Sequence, residues 1–436
     1  DFIGTRYGGN LVRACSVFVL FIASFTYVTA QINATGTIAS RALGIPFEAG
    51  VWVGLISILI CSMLGGMRAV TWTQVAQYIV LIVAYLIPVF WISSKVGGGV
   101  FPHLMLGDEV ARLGELEQQF GLVKNSAADM KAAGVPGGLK YISGTHSGVP
   151  EGGMAVWKYL SLAICMMVGT ASLPHILMRY FTTPSVRAAR KSVAWSLFFI
   201  FLLYSSAPML ATLSKLALMD PNLPTGIIGK SISEVQSIEW VQRWSEVKQV
   251  FIADFNGDGI LQLNEWFMRG DVVVLATPEV AGLPFVISGL VFAGGMAAAM
   301  STADGLVLAI SNALSHDIYY KIIDPKADTR KRLLVARVLL VIIGAAGAYI
   351  ASFRLTSILG SVAWAFDFAM SGLFFPLVLG VWWKRATREG AIAGIVTGIL
   401  SGLFYLLWVY PKFSVPIFGG VNEPFLGIDH LRFGLI

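Results

Sequence analysis

Nine runs of apolar residues set the terms for this chain. They cover 11–39, 49–66, 74–94, 155–180, 192–215, 282–319, 333–352, 357–382 and 391–410. A helix of about 20 apolar residues crosses a hydrocarbon core. Inside lipid the backbone must satisfy its own hydrogen bonds, which leaves helices or a closed barrel. Barrel strands are shorter and alternate in polarity, and no such alternation runs through these segments. Charged residues make up 13% of the 436 residues, about half the share in a soluble domain. The expectation is an all-α polytopic membrane protein embedded in a lipid bilayer. The first and sixth runs exceed a perpendicular crossing and should tilt or protrude.

The formal charge of +6 is spread over short loops between these runs, which is the pattern of a membrane protein rather than a nucleic-acid binder. Arg179, Arg187, Arg190 and Lys191 follow the fourth run. Lys321, Lys326, Arg330, Lys331 and Arg332 follow the sixth, and Lys384, Arg385 and Arg388 the eighth. The positive-inside rule places these loops in the cytoplasm. Alternation then puts Arg6, Arg13, Arg68 and the chain start inside. Ile436 and the two long loops, 95–154 and 216–281, fall outside. A cell membrane, specifically a bacterial inner membrane, is the expected location. The loop 95–154 carries no motif and reads as plain solvated chain. In the second loop, Trp240, Val241, Trp244, Val247 and Phe251 recur at helical spacing. The three cysteines fall in apolar runs and the five histidines form no ligand pattern, so neither a disulfide framework nor a zinc enzyme is indicated. The chain begins without Met and stops just after a polar loop, as a piece of a longer protein would.

Residues 254–265 fit the spacing of an EF-hand calcium loop. Asp254, Asn256 and Asp258 would converge as oxygen ligands, with Gly259 allowing the sharp turn. Ile260 would lend its carbonyl, Gln262 would act through water, and Glu265 would close the shell with two oxygens. An Asx-rich turn is the plainer alternative. Calcium, if bound, would act as a structural clip on the outer loop.

Within the membrane runs, Ala298, Ser301 and Thr302 lie at i, i+3 and i+4 on one helix face. Two hydroxyls and a carbonyl would offer neutral hard oxygens to a monovalent cation. Small residues also serve close helix packing, and Ser and Thr bond back to their own helix. Asp304 and Asp367 sit deep in apolar runs, where a carboxylate is costly and marks function by default. The sequence Val168-Gly169-Thr170-Ala171-Ser172-Leu173-Pro174-His175 predicts a broken helix near mid-membrane, a device that exposes backbone groups to a transported solute. An ordinary proline kink is the alternative.

The stretch Ala298 to Asp304, continued by Leu314-Ser-His-Asp317-Ile-Tyr319-Tyr320-Lys321, resembles the sodium/solute symporter family. So do the opening Asp1 to Gly9, Gly65 to Gln74, Pro174-His175-Ile-Leu-Met-Arg179, and Trp382-Trp-Lys384-Arg385-Ala. The Pro-His-Ile-Leu and His-Asp-Ile-Tyr-Tyr segments look most like the acetate-permease branch. The resemblance implies a five-plus-five inverted-repeat transporter core, with the nine runs as core helices three to eleven and 216–281 as an inserted loop. It implies a co-transported sodium ion at Ala298, Ser301 and Thr302, facing core helix one, which precedes this chain. Gln74 stands where sugar-transporting members carry an Asp that supports sodium, which leaves a proton open as the coupling ion. Gly169, Thr170, Ser172, Asp304, Asp367 and Gln74 are the candidates for coupling or solute contact.

No constellation suited to catalysis appears. The reading is cation-coupled symport of a small organic solute such as acetate. A sodium symporter for an amino acid such as proline and a membrane sensor on the same fold are the alternatives.

Overall fold

The computed structural model describes residues 2–97, 99, 101–120, 127–135, 140–141 and 153–435. Ile436, and with it the expected side of the chain end, falls outside these residues. Helices dominate. In chain order they are α1 (Phe2–Tyr7), α2 (Asn10–Leu43), α3 (Phe47–Val96), α4 (Pro102–Phe120), α5 (Ala127–Ala132), α6 (Gly153–Ser172), α7 (Pro174–Leu177), α8 (Val186–Met219), α9 (Ile232–Ser237), α10 (Glu239–Glu246), α11 (Val273–Val280), α12 (Phe285–Asn312), α13 (Thr329–Ser352), α14 (Ile358–Ala369), α15 (Phe375–Trp382), α16 (Arg388–Val409) and α17 (Pro411–Phe418). Wider π-helical turns at Ala313–Ile323 prolong α12, and others at Met370–Phe374 join α14 to α15.

Among the described residues, seven helices are long and apolar enough to cross a membrane. A bent pair, Val156–Ser172 with Pro174–Tyr180, makes eight when counted as one span. The chain is an integral membrane protein. The remaining run of the nine, 49–66, is the shorter apolar helix Phe47–Met63, about 25 Å long at 1.5 Å per residue.

Helix α3 has two arms, Phe47–Met63 and Val70–Val96, that run in opposite directions. Ser62 donates to Asp304, while Gln74 donates to the Ser301 carbonyl. Those partners lie about 4.5 Å apart along α12, whereas a straight helix from 62 to 74 would cover about 18 Å. Further on, a Cβ on Gly294 would touch Ala84, so the second arm is antiparallel to α12. The chain folds back between Met63 and Val70, as two separate apolar runs require.

One end of the bundle carries a folded cap. A three-stranded antiparallel sheet has β3 (Trp266–Met268) at its centre, flanked by β1 (Lys140–Tyr141) and β2 (Val250–Ile252). Leu113 and Leu116 of α4, Trp244 of α10 and Trp266 share one buried cluster with Val96 of α3, Leu216 of α8 and Val291 of α12. The described parts of the two long loops therefore form a single unit on the ends of three membrane helices. This corrects the reading of 95–154 as solvated chain: α4 packs its apolar stripe on the bundle, and β1 pairs with the second loop. The helix expected through Phe251 also ends earlier, at Glu246. Lys248 adopts a positive φ of 55° and Phe251 lies in β2. Glu279 of α11 fastens the cap to α2. It accepts from Arg41 at 2.8 Å and from the Trp244 indole at 2.5 Å, and the Arg41 guanidinium lies 5.0 Å from the Trp244 ring.

Candidate ion and solute site

The turn Ala298–Thr302 lies midway along α12. Ser301 and Thr302 both donate to the Ala298 carbonyl, at 2.8 and 3.3 Å. Such back-bonding is ordinary for helical Ser and Thr. Here it also gathers three oxygens on one partly exposed face: both hydroxyls keep free lone pairs, and the Ala298 carbonyl regains acceptor capacity once the hydroxyls stop donating to it. A monovalent cation could take all three if the hydroxyl protons turned aside, so the donor set fits sodium.

Gln74 reaches this turn. Its Nε2 donates to the Ser301 carbonyl at 2.5 Å, and its Oε1 accepts from Arg179. Arg179 belongs to a 3₁₀ turn, Met178–Thr182, just after α7. Charge pattern alone makes it a loop cation, and nothing in its sequence context announces that it reaches back to α3. Asp304 is fully buried. One carboxylate oxygen accepts from Ser62 at 2.9 Å and the other has no hydrogen-bond partner.

The fourth apolar run is broken as its Gly-Thr-Ser-Pro sequence predicts. Helix α6 stops at Ser172, Leu173 is extended (φ −69°, ψ 121°), and α7 leaves at a 47° bend. Pro174 opens α7, where a missing N–H costs nothing. The three small residues before the break do different things. Gly169 is a packing residue, since a Cβ there would lie 2.6 Å from the Phe366 carbonyl oxygen. Thr170 is exposed and bonds back to Met166. Ser172 bonds back to Val168 and Gly169 and lines a cavity of about 560 Å³. Pro174, Arg13, Asn312, His316 and Asp317 also line it, and Arg13 approaches Asp317 at 3.7 Å.

Asp367 is not among the lining residues. It is fully buried in α14, with Cys165, Phe433 and Gly434 beside it and no cationic partner among the described residues. The structure thus joins Gln74, Ser301 and Thr302, sets Asp304 one turn on, and leaves Asp367 apart.

In the cap, residues 254–265 form a loop closed by its own amides. Asp254 accepts from Gly257 and Gly259, Asn256 from Asp258, Asp258 from Ile260, and Glu265 from Phe255 and Gln262. Gln262 also donates to Asp258 through its side chain, and Ile260 is exposed. Among the described residues no three His, Cys, Asp or Glu side chains gather as a metal would need. The loop folds as an Asx-rich turn, and its side chains give calcium no support.

Comparison with known proteins follows the same lines. The profile of the sodium:solute symporter family matches residues 1–223 and 272–398, and omits the middle of the cap. An uncharacterized symporter of Cupriavidus necator is 38% identical over an alignment of 517 positions, which spans 100% of this chain and 74% of that protein. A monocarboxylic acid transporter of Corynebacterium glutamicum is 25% identical, across 95% of this chain and 66% of its own length. Among solved structures, a Na+-coupled sialic acid symporter in a substrate-bound outward-open state superposes with a TM-score of 0.60 at 15% identity. It covers 100% of this chain and 73% of that one. That likeness carries the fold.

Proposed function

Because this chain belongs to the sodium:solute symporter family, we propose that it forms the core of a transporter that couples sodium entry to uptake of a small organic anion, a monocarboxylate such as acetate. The observation that carries the reading is the convergence of the Ala298 carbonyl and the Ser301 and Thr302 hydroxyls on one turn of α12. Neutral oxygens suit an ion that must be released again. Solute would occupy the cavity beside the break at Leu173, which has ample room for a small organic anion with its water. The anion is supported by one relative's name, that of the monocarboxylic acid transporter.

The membrane would be the bacterial inner membrane, with the cap outside and the Arg- and Lys-rich loops inside. Symport requires that each ligand bind better when the other is present. Sodium on α12 would favour one arrangement of the broken span, and solute would favour the same one. For the loop 254–265 we propose a structural clip of the cap, with calcium as the ligand its spacing suggests. A melting temperature raised by calcium in the wild type but not in Glu265→Gln would support that role; equal melting would remove it.

The test is uptake by the full-length protein in proteoliposomes, with acetate, pyruvate and proline offered under separate sodium and proton gradients. Acetate or pyruvate uptake driven by sodium is expected. The Ser301→Ala, Thr302→Ala double variant should lose it. Normal sodium dependence in that variant would sink the assignment. Proline uptake would establish the amino-acid alternative, and solute binding without transport would establish the sensor.

A further inference from the structure

We propose that Gln74 and Arg179 are positioning residues for the cation turn of α12, and that they tie that turn to the short helical piece after the break. The inference rests on the reading that Ser301 and Thr302 hold the co-transported ion. Two consecutive hydrogen bonds carry it. Arg179 donates to Gln74 Oε1, and Gln74 Nε2 donates at 2.5 Å to the Ser301 carbonyl. Three elements meet in this bridge: the second arm of α3, the turn Met178–Thr182, and α12.

The contact is also built by close approach. A Cβ on Gly305 would lie 3.1 Å from Arg179 Nη2 and 3.7 Å from Gln74 Nε2. The bare glycine lets a guanidinium settle against α12 one turn beyond Ser301. The bridge acts on the peptide that links Ser301 to Thr302. The Gln74 amide fixes the tilt of that carbonyl, and the same peptide unit sets where the Thr302 side chain starts. A guanidinium on the far side of Gln74 polarises its amide and strengthens the donor. Movement of the piece after the break would therefore pull on the ion-binding oxygens directly. No wider rearrangement is needed to connect the two.

The test measures sodium-dependent uptake by the full-length protein across a range of sodium concentrations. Gln74→Met keeps the volume and removes both hydrogen bonds. It should raise the half-saturating sodium concentration by about fivefold, the worth of one hydrogen bond, with the maximal rate changed by less than about twofold. Arg179→Lys keeps the charge and should move the same constant by less. Gly305→Ala adds only a methyl and should shift it in the direction of Gln74→Met, which carries the test if Gln74→Met does not fold. A merely structural role would lower the melting temperature or the yield without separating sodium affinity from maximal rate. A sodium-dependent wild type with unchanged half-saturation in Gln74→Met, or in Gly305→Ala where the former cannot be made, overturns this inference alone. A wild type with no sodium dependence overturns the cation reading and the inference with it.

Discussion

A methyl group on Gly169 offers a measure of how tightly the broken span is held. Its carbon would lie 2.6 Å from the Phe366 carbonyl oxygen and 2.7 Å from Phe366 Cβ. Non-bonded carbons settle at about 3.5–4.0 Å, so α6 and α14 would have to part by roughly an ångström. The Phe366 carbonyl is helix backbone and cannot swing aside as a side chain would. Overpacking of this kind costs about 1–3 kcal/mol. That predicts a melting temperature lower by several degrees for Gly169→Ala in detergent, followed by tryptophan fluorescence. Uptake should fall more steeply, because the displaced contact lies one turn before the break, and small misplacements at a binding site cost large factors in rate. Gly394→Ala is the control. A Cβ there meets nothing within 4 Å, so alanine should be neutral or stabilising by up to about 1 kcal/mol through helix propensity. If Gly169→Ala melts and transports like Gly394→Ala, the packing argument is wrong.

Glu279→Ala should destabilise the cap by about 3–5 kcal/mol, because it leaves the Arg41 guanidinium without its acid in a mostly buried place. A double-mutant cycle with Arg41→Met, read by thermal melting, should show strong coupling between the two, and additive losses would refute the clamp. Asp367→Asn should melt no lower than wild type, since burying a carboxyl group without a cationic partner costs stability that a neutral amide of the same shape avoids; a marked drop in melting temperature would refute this. The Ile260 amide holds the Asp258 carboxyl below the usual carboxylate range. Its stabilisation is present above the unfolded value of about 3.9 and is lost as pH falls through the folded one, so acid should loosen the loop in the wild type but less in Asp258→Asn, as followed by amide exchange.

The membrane helices and the break were legible because both depend on local composition. About twenty apolar residues need a helix, and Gly-Thr-Ala-Ser-Leu-Pro interrupts one wherever it falls. The cap was not legible in the same way. Strand β1 is two residues long, and Lys140 and Tyr141 find Met268 and Phe267 more than a hundred positions away. No window of sequence contains that pairing. Helix α4 did leave a signal: Glu109, Leu113, Leu116 and Glu117 are buried at helical spacing, but the carboxylates in the stripe mask its amphipathic pattern. Glu117 is buried because Lys215 of α8 meets it at 2.5 Å, and only the fold reveals that partner. Arg179 escaped for the converse reason. Its position after a span marks it as a solvated loop cation, whereas its long side chain turns back to Gln74.

The cap restricts how this molecule can change shape. Its buried cluster grips the ends of α3, α8 and α12 together, and Glu279 adds α2. Four membrane helices thus share one rigid joint at that face and cannot splay there independently. If the proposed transport alternates access, the expected motion is a swing about this joint, widest at the opposite face, where Arg13 and Asp317 meet across the cavity. A probe pair placed across that face would register the motion at its greatest amplitude, while a pair within the cap would hold a constant separation through the whole cycle.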